Sequence, residues 1–140
     1  MDQQDDVTVL LVESNDSLRR VVSASLEQIG VRVLEASSAD SAQAILESEN
    51  PEVLIVELDF PHEHNSKLIE LFRKHKPEHK DAVVVITAQR PSNTWRQQYQ
   101  PEATVYKPFD TRHLCLIITS LAHLSDRKRE GISTYSGGNL

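Results

Sequence analysis

VLIVELDFP, residues 53–61, decides how this chain is read. Four consecutive apolar residues, Val53 to Val56, run into an acid, Glu57, and Pro61 follows four places later. An unbroken apolar run rich in β-branched residues suits a strand covered on both faces, as in a parallel sheet. Similar runs lie at 7–12, 31–36, 82–86 and 103–106, with the quoted one beginning at 52. An acid placed where such a strand runs out stands where open parallel sheets build their sites.

Between these runs the apolar spacing turns helical. Residues 16–29 put Leu18, Val21, Val22, Ser25, Leu26 and Ile29 on one stripe, and Gly30 stops it. Ser38 caps a helix to Glu47 that turns Ala39, Ala42, Ile45 and Leu46 inward; residues 66–75 carry Leu68, Ile69, Leu71 and Phe72. Asp110 caps a last helix with Leu114, Ile117, Ile118 and Leu121 on its inner face. The weakest helical segment is 90–102, whose large apolar residues are Trp95 and Tyr99, at i and i+4. Five β-α units predict an α/β domain: a doubly wound, five-stranded parallel sheet with helices on both sides and right-handed crossovers. The domain is expected over 7–124, with a disordered 1–6 and a polar, glycine-serine-rich tail or linker over 125–140.

A chain of 140 residues, 39% hydrophobic and 26% charged, suits one soluble domain with a real core. Its net charge of -6 argues against a nucleic-acid surface. No apolar run approaches the ~20 residues that span a bilayer. The acidic start MDQQDD is unlike a signal peptide, and Cys115 is the only cysteine, so a cytoplasmic protein without membrane attachment is expected. The absence of GxGxxG and GxxxxGK[ST] argues against a nucleotide binder, and no histidine is placed beside a nucleophile, so a binding role is expected in place of an enzyme's.

The strand ends bring Glu13, Ser14, Glu57, Thr87 and Lys107 to one rim. Their motifs, VLLVESND (9–16), PEVLIVELDFP (51–61), VVVITA (83–88) and YKPF (106–109), come in an order and spacing that resembles the receiver domain of two-component response regulators. The resemblance covers residues 7–124 and implies a flavodoxin-like fold with strand order 2-1-3-4-5. It also implies that Glu57 holds the phosphoacceptor position, that Glu13 and Ser14 hold the positions of a metal-binding acid pair, and that Thr87 with Tyr106 forms the switch. Lys107 becomes the lysine that pairs with phosphate, ahead of a cis bond to Pro108.

Two of these positions depart from the family pattern, which has an aspartate at 57 and an acid at 14. A glutamate's extra methylene moves the carboxylate outward by about 1.5 Å, and a misplacement of about 1 Å already costs roughly a hundredfold in a reaction that depends on positioning. Ser14 removes a charge from the metal site, so only weak Mg2+ binding, through Glu13, Glu57 and Asp59, is expected. Ordinary aspartyl phosphorylation is therefore expected to be lost, leaving a pseudo-receiver that acts by protein interaction. Lys107 and Thr87 binding Glu57 together would hold an active-like state; Lys107 paired with Glu57 or Glu13 would give an inactive scaffold. The alternative is an active receiver that uses Asp59. Resemblance implies an output face made of the fourth helix, fifth strand and fifth helix, with Trp95 and Tyr99 as candidate anchors for a histidine kinase, an effector domain or a second copy of the chain.

Overall fold

The computed structural model describes residues 7–58, 63–75 and 82–129. Five strands alternate with five helices: β1 (Thr8–Val12), α1 (Asp16–Gln28), β2 (Arg32–Ala36), α2 (Ala39–Leu46), β3 (Val53–Leu58), α3 (Glu63–His75), β4 (Ala82–Thr87), α4 (Asn93–Tyr99), β5 (Ala103–Tyr106) and α5 (Thr111–Arg129). All neighbouring strands are parallel, in the order β2-β1-β3-β4-β5. β3 and β4, apolar except at Glu57 and Thr87, are buried at every position, while β2 and β5 form the edges.

Strand alternation divides the core in two. Val9 and Leu11, Val53 and Ile55, Val84 and Ile86, and Val105 meet Val22 and Leu26 of α1 and Leu114 and Ile118 of α5. The intervening residues Leu10, Leu54, Val56, Val83 and Val85 meet α2, α3 and α4 through Ala42, Leu46, Ile69, Phe72 and Trp95.

Several elements differ from the sequence expectation. β3 does not stop before Glu57 but continues through it, pairing Glu57 with Ile86 and Leu58 with Thr87. Val21 and Ile29 of the expected α1 stripe lie outside the core, 52% and 49% exposed, while Ser23 is buried. A helix lying on a sheet buries a limited arc, here centred on Val22 and Leu26, and the row 21–25–29 falls to one side of it. α3 begins at Glu63, earlier than 66, and α5 continues beyond Leu124 to Arg129. Residues 1–6 and 130–140, expected to be disordered or flexible, lie outside the described residues.

Gly30 ends α1 in a left-handed conformation, φ 91°. Its N–H donates to the Glu27 carbonyl and that of Val31 to the Leu26 carbonyl, both at 3.1 Å, the paired bonds of a Schellman ending. An added Cβ would meet nothing within 4 Å, so only backbone conformation opposes a side chain here. Gly30→Ala is expected to lower stability by about 1 kcal/mol, read as a fall in urea midpoint at unchanged slope.

Candidate functional site

One residue past the last rung between β1 and β3, Val12 with Val56, come Glu13 and Glu57. One residue past the last rung between β4 and β5, Thr87 with Tyr106, comes Lys107. Glu13, Glu57 and Lys107 continue the rows 9–11, 53–55 and 105, so alternation directs all three to the α1/α5 side of the sheet. They meet there. Lys107 Nζ donates to Glu57 Oε2 at 2.9 Å and to Glu13 Oε2 at 3.3 Å. The Lys107–Pro108 bond is cis, as the resemblance implies.

Ser14 completes the arrangement. Its backbone N–H and its hydroxyl both donate to Glu57 Oε1, each at 2.9 Å. In the sequence Ser14 reads only as a lost acid; in the fold it donates twice to the second Glu57 oxygen. The Asn65 side-chain amide donates to the Glu57 backbone carbonyl. Asn15 donates its N–H to Glu13 Oε2 at 3.0 Å, and its side chain caps α1 through the Leu18 N–H at 2.8 Å. Arg19 fastens the same loop, donating to the Glu13 carbonyl at 2.8 Å while pairing with Asp16 and Glu35. Sequence reading missed Asn65 and Arg19. Neither has a signal of its own, because their partners lie on other elements or are backbone atoms.

The charges are unequally settled. Burial pushes the Glu57 carboxyl up, but the Ser14 N–H, Lys107 and the Ser14 hydroxyl outweigh it and hold Glu57 below the ordinary glutamate range. For Glu13 burial prevails over the Asn15 N–H, the Glu57 charge adds to it, and the carboxyl stands above that range. Burial lowers Lys107, yet its bond to Glu57 and the two acidic charges leave it above the ordinary lysine value. Glu13 Oε1 is buried without a hydrogen-bond partner among the described residues.

Among the described residues the donor set does not make a Mg2+ cradle as it stands. Magnesium demands several oxygens in near-octahedral array. Both Glu57 oxygens already accept from Ser14 and Lys107, leaving Glu13 Oε1 as the one unengaged carboxylate oxygen at this rim among the described residues. No group of three or more histidine, cysteine, aspartate or glutamate residues suited to a metal occurs among them. Asp59, the proposed third ligand and rival phosphoacceptor, lies outside the described residues.

Thr87 stands apart from this cluster. It continues the row 83–85, directed to the other side of the sheet. Its hydroxyl donates to the Gln89 carbonyl at 2.8 Å and accepts from the Gln89 N–H at 3.2 Å. Tyr106 is 41% exposed on the edge strand. Trp95 corrects an expectation: as an anchor it would be exposed, but only 9% of it is. Its indole N–H donates to Ser66 Oγ at 2.8 Å, because a large ring on a two-turn helix has more apolar surface to bury than any neighbour. Tyr99 is half-buried and packs against Trp95, ring centroids 4.9 Å apart.

Fold and rim together define a receiver. The chain belongs to the family described as the response regulator receiver domain, which it matches over residues 9–119. It is 26% identical over 124 residues to the regulatory protein AtoC of Escherichia coli K12, covering 87% of this chain and 26% of that protein, so it spans about a quarter of that relative. Among solved structures, a CheY-like receiver from Methanospirillum hungatei superposes with a TM-score of 0.78 at 18% identity, covering 88% of this chain and 98% of that one. A Thermotoga maritima response regulator gives 0.73 at 22% identity, covering 84% and 98%. The chain is thus a response regulator receiver domain of two-component signalling, a family that works with histidine kinases or effector domains. No helix among the described residues is long and apolar enough to cross a membrane.

Proposed function

We propose that this receiver is a phosphorylation-independent interaction module, held in one state by its own side chains. The observation that carries the reading is the engagement of Glu57: Ser14 donates twice to one oxygen and the Lys107 ammonium to the other, so an attack on phosphorus would have to give up part of this bonding. Lys107 supplies the positive charge beside both acids, and Mg2+ binds weakly because that charge opposes a second cation and Glu13 Oε1 is the one unengaged carboxylate oxygen at the rim among the described residues. The Thr87 hydroxyl bonds to its own loop, which favours the inactive-scaffold alternative over an active-like one. On this reading the domain is not an enzyme, works in the cytoplasm and acts by binding protein. The α4–β5–α5 face offers Tyr106 and Leu116, 41% and 68% exposed, as its large apolar contacts, with Trp95 as support beneath.

Incubation with acetyl phosphate and Mg2+ is expected to leave the intact mass unchanged. A hydroxylamine-labile gain of one phosphoryl group at Glu57 or Asp59 overturns the reading. Glu57→Asp combined with Ser14→Asp is expected to strengthen Mg2+ binding by roughly tenfold or more, since it shortens one ligand and adds another. Unchanged Mg2+ affinity in the double variant would place the pocket elsewhere.

A further inference from the structure

α4 has seven residues, of which Trp95 alone is buried. Isolated helices shorter than about 12 residues are marginal in water, so its position must come from elsewhere. α3 supplies it through a polar stripe, Ser66, Glu70 and Arg73 at i, i+4 and i+7, beside the apolar residues Ile69 and Phe72 that face the core. Ser66 accepts the Trp95 indole N–H in a buried bond of 2.8 Å. Burial, with the nearby Glu70 charge, holds the Tyr99 hydroxyl above the ordinary tyrosine range.

Arg73 works at the other end of the short helix. Its guanidinium donates to the carbonyls of Tyr99 and, at 3.0 Å, Gln100. These belong to the last turn, where helix carbonyls lack partners of their own. Gln100 closes α4 in the left-handed region at φ 44°, a conformation that disfavours a residue with a Cβ. Arg73 also reaches Glu102 Oε1 at 3.4 Å, and that same oxygen accepts the Val83 N–H at 2.7 Å. The guanidinium therefore ties α4 to the start of β4, at the opposite end of the sheet from Glu57 and Lys107.

We propose that Ser66 and Arg73 clamp α4 onto α3, so that the α4–β5 surface keeps one conformation whatever the state of the rim carboxylates. Among the described residues, the hydrogen bonds given above that tie α4 to other elements come from α3, with Glu102 linking on to the start of β4, and none of these bonds includes a side chain of Glu13, Ser14, Glu57 or Lys107. A partner thus meets a preset surface. This deepens the reading of the domain as a fixed module and rests on it.

Trp95 is the chain's single tryptophan, so its emission reports on α4 alone. Arg73→Ala is expected to speed amide exchange across α4 by roughly tenfold, the loss of a charge-assisted hydrogen bond in local opening. Ser66→Ala, a milder variant, is expected to red-shift Trp95 emission with far-UV circular dichroism unchanged. Glu57→Gln is expected to alter neither α4 exchange nor emission. The clamp is overturned if α4 exchanges in Arg73→Ala within twofold of wild type, or if Glu57→Gln disturbs α4 as much as Arg73→Ala does. A phosphoryl mass gain, by contrast, sinks the fixed-module reading without touching these exchange rates.

Discussion

Lys107→Met is expected to lower the unfolding free energy at neutral pH by about 2 kcal/mol. Removing one partner of a fully buried pair costs roughly 3–5 kcal/mol, and the Lys107 side chain, 26% exposed, keeps part of its solvent screening. The loss comes less from the missing attraction than from what stays behind: Glu13 and Glu57 face one another without a cation between them. The sign with pH follows. In the native protein Glu57 is held below the ordinary range, so its contribution is present above that range and is lost as pH falls through the lowered value. Lys107, raised, contributes below the ordinary lysine value and loses its contribution as pH rises through the raised one. Glu13, raised, opposes folding once ionised and is relieved by acid. Without Lys107 both carboxyls move up, so the deficit is largest at neutral pH and shrinks towards about pH 4.5, near the free glutamate value. Urea titrations of both proteins at the two pH values measure it. Glu13→Gln in the Lys107→Met background is expected to recover part of the loss; a deficit that grows with acid would contradict the charge account.

Trp95→Ala is expected to cost about 3 kcal/mol, the lower end for deleting a buried aromatic, because the site lies at the margin of the core. The substitution removes the one buried side chain of α4, leaves Ser66 without its indole partner and breaks the ring contact with Tyr99. Trp95→Phe retains most of the apolar contact and is expected to cost less. Ser66→Ala is then expected to cost less in the Trp95→Phe background than in wild type, since removing both ends of that hydrogen bond strands neither. If Trp95→Ala changes stability by only a few tenths of a kcal/mol, the ring is a free surface anchor after all.

How far the site was legible varies from residue to residue. Glu57, Lys107 and Glu13 were readable because each follows an apolar run whose parity can be counted, and parallel strands deliver their ends to one rim. The same counting puts Thr87 in the row 83–85, on the other side from Glu57, a consequence that motif resemblance obscured. Ser14 was readable as a missing charge but not as a donor, since its partner lies 43 residues away and a longer carboxylate is what reaches it. The roles of Asn65, Arg19 and Arg73 were hidden for the same reason: each acts through contacts between elements that local sequence does not bring together.

The linear order of residues by itself determined the β-α alternation, the buried middle strands, the helix ending at Gly30 and the identity of the acids and lysine at the rim. These depend on local spacing and on a period of two or 3.6, which the chain carries everywhere. Tertiary structure alone decided that Glu57 is closed by Ser14 and Lys107 and that Trp95 turns inward onto Ser66. Both outcomes depend on distances between elements far apart in the chain, and such distances exist only once the sheet and its helices have packed.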